Sequence, residues 1–314
     1  MRALVIGAAG FVGTYLVRHL LDQGDEVFAG TLRDPVALLP DTTFSVDITD
    51  AHSTAELIQK TQPDVVYHLA GISFVPEAEA DFDKTLRVNV GGTANVLRQA
   101  HLFSKETRVL FVSSAEVYGQ VKQSELPIRE STPLRPANNY SLSKRMAELV
   151  AERYVRQGAL NCTIVRPFNH IGPGQDSRFV ASNFAFQLAR IAHSKAPGII
   201  QVGNLEARRD FSDVRDIVRA YRLLAEAPSG VFNLGSGSPR AIQDLLDTLI
   251  RVSGVSVTIE QDPARMRGPE VPELYASYEK ASASVGWAPS ISFEQSLLDI
   301  YRYWYDRLAA EQAA

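Results

Sequence analysis

Arg2-Ala3-Leu4-Val5-Ile6-Gly7-Ala8-Ala9-Gly10-Phe11-Val12-Gly13 decides how this chain is read. The run Ala3 to Ile6 is apolar without alternation, the pattern of a strand buried on both faces in a parallel sheet. Glycines then recur as Gly-x-x-Gly-x-x-Gly, and Leu16, Leu20 and Leu21 continue at helical spacing. The order is strand, glycine-rich turn, helix. Glycine lets the turn tighten and the backbone approach a pyrophosphate, whose charge is met by free N–H groups at the positive end of the helix. Gly7, Gly10, Phe11, Val12 and Gly13 are therefore the first candidates for contact with a dinucleotide.

Downstream, the same alternation repeats. Glu26 to Thr31, Thr43 to Val46, Val65 to Leu69, Val109 to Val112 and Thr163 to Val165 read as further strands. The clearest helices between them are Asp81 to Leu102 and Asn139 to Arg156. Strand and helix alternating at this density predict an α/β fold with a Rossmann-type, doubly wound parallel sheet. After Arg166 the rhythm loosens into Gly, Pro and Asn, then shorter mixed elements. They are helices near Phe179 to His193, Val214 to Glu226, Ile242 to Val252 and Phe293 to Leu308, and strands at Ile199 to Val202, Val231 to Leu234 and Val255 to Ile259. The expected division is a dinucleotide-binding domain over 1–166, rejoined by about 209–235, and a smaller C-terminal substrate lobe drawn mainly from 167–314.

Two further stretches carry chemistry. Val109 to Val112 runs out into Ser113-Ser114-Ala115-Glu116-Val117-Tyr118-Gly119, which places hydroxyls and a carboxylate beyond the carboxyl end of a strand, where ligands of open α/β sheets bind. Tyr140 and Lys144 stand four residues apart on one predicted helix and so share a face. An ammonium beside the phenol is expected to lower its pKa toward working pH, making Tyr140 a proton donor or acceptor.

Composition sets limits. The 314 residues suffice for a large core without staples. The single cysteine, Cys162, rules out an internal disulfide, and its apolar surroundings predict a buried, inert thiol. Six histidines without ligand spacing predict no metal site. A net charge of −4 with dispersed lysine and arginine argues against nucleic acid as a partner. No apolar stretch reaches membrane-spanning length, and the opening run reads as a strand rather than a signal peptide, so a cytoplasmic location is expected.

With these motifs in place, the chain resembles an extended short-chain dehydrogenase/reductase acting on nucleotide sugars, and the likeness runs from end to end. The resemblance implies that Ser114 is the catalytic hydroxyl and that Tyr140 and Lys144 are the family's Tyr-x-x-x-Lys pair. Asn89 matches an asparagine supporting the active-site helix, Asp47-Ile48 the segment bracketing adenine, and Leu69-Ala70-Gly71 the backbone beside the cofactor's ribose and phosphates. Arg33, at the end of the second strand where an acid would select NAD, points to NADP(H) as the preferred cofactor, with NAD(H) as the alternative. A homodimer through the Asp81 to Leu102 and Asn139 to Arg156 helices is implied likewise.

On the substrate side, Asn169 lies at a position that contacts the nucleotide's diphosphate or the sugar. Asn204, in Gly203-Asn204-Leu205 before Arg209-Asp210-Phe211, resembles enzymes of GDP-linked sugars, and Arg209 matches a pyrophosphate-clamping arginine. Arg267 and Glu270 resemble a second arginine and acid for diphosphate and ribose. The loop Phe168 to Gln175 is similar to that of reductases of GDP-4-keto-6-deoxymannose that form GDP-D-rhamnose. Glu116 occupies the position of the base in 4,6-dehydratases, so dehydration or epimerisation stands as the alternative, and a non-catalytic cofactor-sensing protein as a remote one. The expected reaction is reduction of a C4 ketone to GDP-D-rhamnose or its C4 epimer.

Overall fold

A computed structural model describes residues 1–32, 35–194, 198–265 and 271–313. The apolar run before the glycines becomes the central strand β1 (Arg2–Ile6), flanked in space by β2 (Glu26–Thr31) and β4 (Val65–His68). Outward from these lie β3 (Thr43–Ser45) on one side, and β5 (Arg108–Val112), β6 (Asn161–Pro167) and β10 (Val231–Leu234) on the other. The order β10-β6-β5-β4-β1-β2-β3 is parallel at every pairing, so the strand order reverses between β1 and β4. That reversal opens a crevice at the carboxyl ends of the strands.

Both faces of this sheet are covered. On one, α1 (Phe11–Asp22) and α8 (Val214–Ala225) bury Leu16, Val17, Leu20, Ile217, Tyr221 and Leu224. From α10 (Glu279–Val285), Ala281 joins the same cluster, as does the fully buried Trp287, whose indole N–H donates to the Asp216 carbonyl at 2.9 Å. Each large apolar side chain so buried contributes roughly 1.5–3 kcal/mol. On the other face, α2 (Ala51–Thr61), α5 (Thr93–Phe103) and α6 (Asn139–Arg156) pack Leu57, Ile58, Val96, Leu97 and Ala147 over the strands. Here too lies Cys162, the pKa of its thiol pushed up to about 12 by burial.

The Asp81 to Leu102 helix forms with an interruption. Behind α3 (Val75–Ala80), it runs as α4 (Phe82–Leu86), a π-helical turn at Arg87–Gly92, and then α5. At this wider turn the Thr93 hydroxyl donates to the Asn89 carbonyl at 2.6 Å, and a side chain at Gly92 would overlap Ile48. Such insertions gather at functional sites, and this one carries Asn89.

The remaining elements form the lobe. α7 (Val180–Ser194), α9 (Ile242–Ser253) and α11 (Phe293–Ala313) enclose a separate core around Phe184, Leu188, Leu245, Leu249 and Trp304. A small sheet centred on β9 (Arg208–Asp213) gathers β7 (Asn169–Ile171), β11 (Pro239–Ala241) and β13 (Glu273–Leu274), while β8 (Gly198–Val202) pairs with β12 (Val257–Gln261). No helix of the described residues is long and apolar enough to cross a membrane, and no cluster of side chains among them could hold a metal ion.

Candidate active site

The glycine turn is built for close approach. Gly7 sits at φ +94°, which side-chain-bearing residues rarely adopt, and a Cβ there would crowd the Ala70 amide. Gly13 lies where α1 crosses the turn, and a Cβ would overlap the Gly7 carbonyl and the Ala8 backbone. Gly10 caps α1 without a side-chain hydrogen bond, which leaves the first amides of the helix facing the crevice. Leu69 and Ala70 both donate to the Ile6 carbonyl, at 2.9 and 3.0 Å, so the strand ends of β1 and β4 are held together where the sheet reverses. Phe11 stands at the helix start with its ring parallel to that of His170, the centroids 6.3 Å apart, whereas Val12 packs toward the core.

Farther along the crevice, Asp47 is exposed and accepts from the Thr49 amide and hydroxyl at 2.9 and 2.8 Å. Ile48 is buried against Gly92, and its carbonyl accepts from Asn95 at 2.9 Å. Gly71 is exposed, and a Cβ on it would lie close to both Asn89 Oδ1 and Lys144 Nζ. Arg33 lies outside the described residues.

Ser114, Tyr140 and Lys144 are all buried at the end of β5. Ser114 opens a short 3-10 turn, Ala115–Tyr118, and its hydroxyl accepts from the Glu116 amide at 3.1 Å; Glu116 is half-buried. Tyr140 starts α6 just after the cap Asn138, whose side chain accepts from the Ser141 amide at 2.7 Å. Asn89 clasps the neighbouring loop: the Ile72 amide donates to its Oδ1 at 2.8 Å, and its Nδ2 donates to the Ile72 carbonyl and to Ser143 Oγ at 3.0 and 2.9 Å.

One expectation about this pair is corrected. The Tyr140 phenol is pushed up to about 12, above its ordinary value, because burial disfavours the phenolate; hydrogen bonding with Ser114 pulls it back in part, and the Glu116 carboxylate raises it further. Lys144 does not lower it. Its ammonium instead donates to the Val112 carbonyl at 2.9 Å, lies 5.4 Å from the Phe111 ring centroid, and is itself drawn down to about 8 by burial against a partial opposing pull from Glu148. Shared helical spacing brought the two groups to one face, and desolvation decided their acidity.

Sequence reasoning passed over the ion pair beneath these groups. Arg166 Nε and Nη2 donate to Glu148 Oε1 and Oε2, each at 2.8 Å, with both side chains buried. The available signal was Glu148 standing one helical turn after Lys144. His68, buried at the end of β4, also escaped notice; Thr93 gives its proton to the Asn89 carbonyl, so His68 Nε2, 2.9 Å from the Thr93 oxygen, is the protonated nitrogen.

Among the substrate candidates, Asn169 is exposed on β7, where it pairs with Phe211 of β9. Asn204 Oδ1 accepts from the Glu206 amide at 3.0 Å. Half-buried Arg209 donates through Nη1 to the Arg208 and Val271 carbonyls, both at 2.9 Å. Its neighbour Asp210 is buried and accepts from Ser236, Gly237 and Ala276, which holds the loop after β10 onto β9. Arg267 and Glu270 lie outside the described residues.

Comparison with known proteins narrows the chemistry. The sequence profile of the GDP-mannose 4,6 dehydratase family matches residues 4–300. The GDP-6-deoxy-D-mannose reductase of Pseudomonas aeruginosa is 36% identical over 312 residues, 99% of each chain. The GDP-6-deoxy-D-talose 4-dehydrogenase of Aggregatibacter actinomycetemcomitans is 30% identical over 284 residues, covering 89% of this chain and 90% of that one. The solved structure of RMD from Pseudomonas aeruginosa complexed with NADPH superposes with a TM-score of 0.87 at 32% identity, over 98% of this chain and 100% of that one.

Proposed function

The chain belongs to the GDP-mannose 4,6 dehydratase family of nucleotide-sugar enzymes, and from that footing we propose that it reduces the C4 ketone of GDP-4-dehydro-6-deoxy-D-mannose, using NADPH, to GDP-D-rhamnose or its C4 epimer. Ser114 and Tyr140, both buried and near enough for the Ser114 hydroxyl to draw the Tyr140 pKa down, carry this reading, because together they offer two donors to one developing alkoxide. The similarity to the GDP-6-deoxy-D-mannose reductase and to the GDP-6-deoxy-D-talose 4-dehydrogenase supports the substrate class.

The residues present fit the cofactor, since Gly7 and Gly13 let the turn close tightly on its own backbone where any Cβ would clash, and Gly10 caps α1 with no side chain in front of its first amides. In this reading the Gly7 to Gly13 backbone and the start of α1 hold the pyrophosphate, Leu69 to Gly71 flank the ribose and phosphates, and Asp47 and Ile48 bracket the adenine. The bound NADPH supplies hydride. Tyr140 delivers a proton to the C4 oxygen, and the raised pKa of its phenol keeps that proton in place across the neutral range. Ser114 donates a hydrogen bond to the same oxygen, and Lys144 holds the nicotinamide ribose. Asn169, Asn204 and Arg209 take the diphosphate and sugar, and Glu116 orients a sugar hydroxyl. Residues 1–166 with about 209–235 form the cofactor unit, and 167–314 mainly the sugar unit.

One observation favours dehydration as a second reading: Glu116 lies near enough to Tyr140 to raise its pKa, where a base for the C5 proton would stand. A pair of assays separates the two. Consumption of the 4-keto sugar with NADPH supports the reductase, and turnover confined to GDP-mannose with NADP makes the protein a dehydratase; proton NMR of the product assigns C4. We place the reaction in the cytoplasm as a homodimer. The dimer is supported by Leu142, Met146 and Leu149, which expose one apolar stripe of α6. Sedimentation at the monomer mass would remove it.

A further inference from the structure

The turn that carries Ser114 and Glu116 is pinned at both of its ends by one buried ion pair. At the start, the Ser113 amide extends the β5–β6 ladder to the Val165 carbonyl at 2.8 Å, and the Ser113 hydroxyl donates to Glu148 Oε1 at 2.6 Å. At the end, Arg166 Nη1 donates to the Tyr118 hydroxyl at 2.9 Å, and that hydroxyl donates in turn to Asn233 Oδ1 at 2.7 Å. Asn233 is itself fixed, since it is fully buried and its Nδ2 donates to the Ile128 carbonyl at 3.1 Å. Glu148 receives four donors in all: Ser113 and Arg166 Nε at Oε1, Arg166 Nη2 and Arg145 Nη1 at Oε2. Each of its two oxygens thus accepts two hydrogen bonds. It also stands one helical turn from Lys144 on α6, which is the third group of the site.

We propose that Glu148, clamped by Arg166, is a positioning residue that sets the placement of the Ser114 turn and the charge of Lys144 together. The inference rests on the ketoreductase reading above. The pair touches no substrate. It acts through Ser113 and Tyr118 on the turn, and through space on the ammonium. The groups facing Lys144 identify Glu148 as the anion that matters: Tyr140 and Glu148 from α6, His68 from β4, the Val112 carbonyl and Phe111 ring from β5, and Asn89 Oδ1 across Gly71. Of these, His68 is held neutral by burial and Tyr140 keeps its proton, so Glu148 provides the opposing charge.

The test uses three variants of the full chain. Ser113→Ala and Tyr118→Phe each free one end of the turn while leaving the ion pair intact. Each is expected to lower turnover of the 4-keto sugar about tenfold, the worth of one charge-assisted hydrogen bond, with NADPH affinity at pH 7 unchanged. Glu148→Gln keeps the shape and removes the charge. Fluorescence titration of NADPH against pH is expected to show affinity failing about one unit lower than in the unaltered protein, since Lys144 then loses its proton sooner. A structural defect alone would weaken binding without moving that pH. Full turnover in both Ser113→Ala and Tyr118→Phe, or an unmoved pH limb in Glu148→Gln, overturns the proposal. Should Glu148→Gln fail to fold, the two single-end variants decide it. Should the unaltered protein turn over no 4-keto sugar, the ketoreductase reading fails by itself, and the binding titration still decides whether Glu148 sets the charge of Lys144.

Discussion

The glycine crevice and the C-terminal lobe are made in different ways. The crevice is built from backbone: a left-handed Gly7, a close crossing at Gly13, uncapped amides at the start of α1, and strand ends tied at Ile6. Its parts lie within a few residues of one another or on adjacent strands. The lobe is built from elements that arrive from separate parts of the chain: the short strands β7, β9, β11 and β13, and the helices α7, α9 and α11 around a core of their own. We place Ser114, Tyr140 and Lys144, buried at the end of β5, between the two. On the reading proposed above, a site that accepts one constant cofactor is written in local geometry, while one that selects among sugars is assembled from distant segments.

That contrast can be broken at either end. The largest effect is expected at the backbone end: Gly13→Val should abolish measurable NADPH binding in a fluorescence titration, because the added carbons overlap the Gly7 carbonyl. Retained binding would mean that the turn does not cradle the cofactor. At the shared centre, Tyr140→Phe should cut turnover of the 4-keto sugar by about a hundredfold or more while leaving NADPH affinity intact, since a general acid acts on the rate and not on the dinucleotide. Normal turnover would take Tyr140 out of the chemistry. At the lobe, Arg209→Met should raise KM for the GDP-sugar by roughly tenfold, the worth of about 1.4 kcal/mol in charge-assisted hydrogen bonding, with NADPH affinity unmoved. Equal losses for both ligands would erase the division between the two ends.

The smallest expected effect is on stability. Lys144 has a folded-state pKa of about 8, below its ordinary value of 10.5, so the folded state binds fewer protons between those two values and its stability rises across that window. Burial of the ammonium therefore costs stability below pH 8, and the cost is gone above 10.5. Lys144→Met should melt about 2–4 °C higher than the unaltered protein at pH 7, and the gap should close as the pH approaches 10.5. A gap that is constant with pH would assign it to packing rather than to the buried charge.

Much of the site is legible in the residue order because its signals are short-range. Gly7 to Gly13 announce a tight turn between a buried strand and a helix, and the strand that ends in Ser113-Ser114 ends where open sheets bind ligands. The acidity of Tyr140 is not legible there. Spacing places Lys144 on its face, but the sign of the shift depends on how deeply both groups are buried and on which carbonyl captures the ammonium. The break in the helix at Arg87–Gly92 is not legible there either; it lies where Ile48, from another element, comes close to Gly92.

By itself, the sequence determined the strand, turn and helix at the start, the order of the hydroxyl, phenol and amine along the chain, and the placement of Tyr140 and Lys144 on one helical face. These are consequences of local backbone geometry and fixed helical periodicity. Tertiary structure alone decided that the strand order reverses beside the glycine turn, that Arg166 and Glu148 meet under the Ser114 turn, and which way each buried proton is held. Desolvation and ion pairing depend on what the rest of the chain packs around a group, and that neighbourhood exists only once the chain has folded.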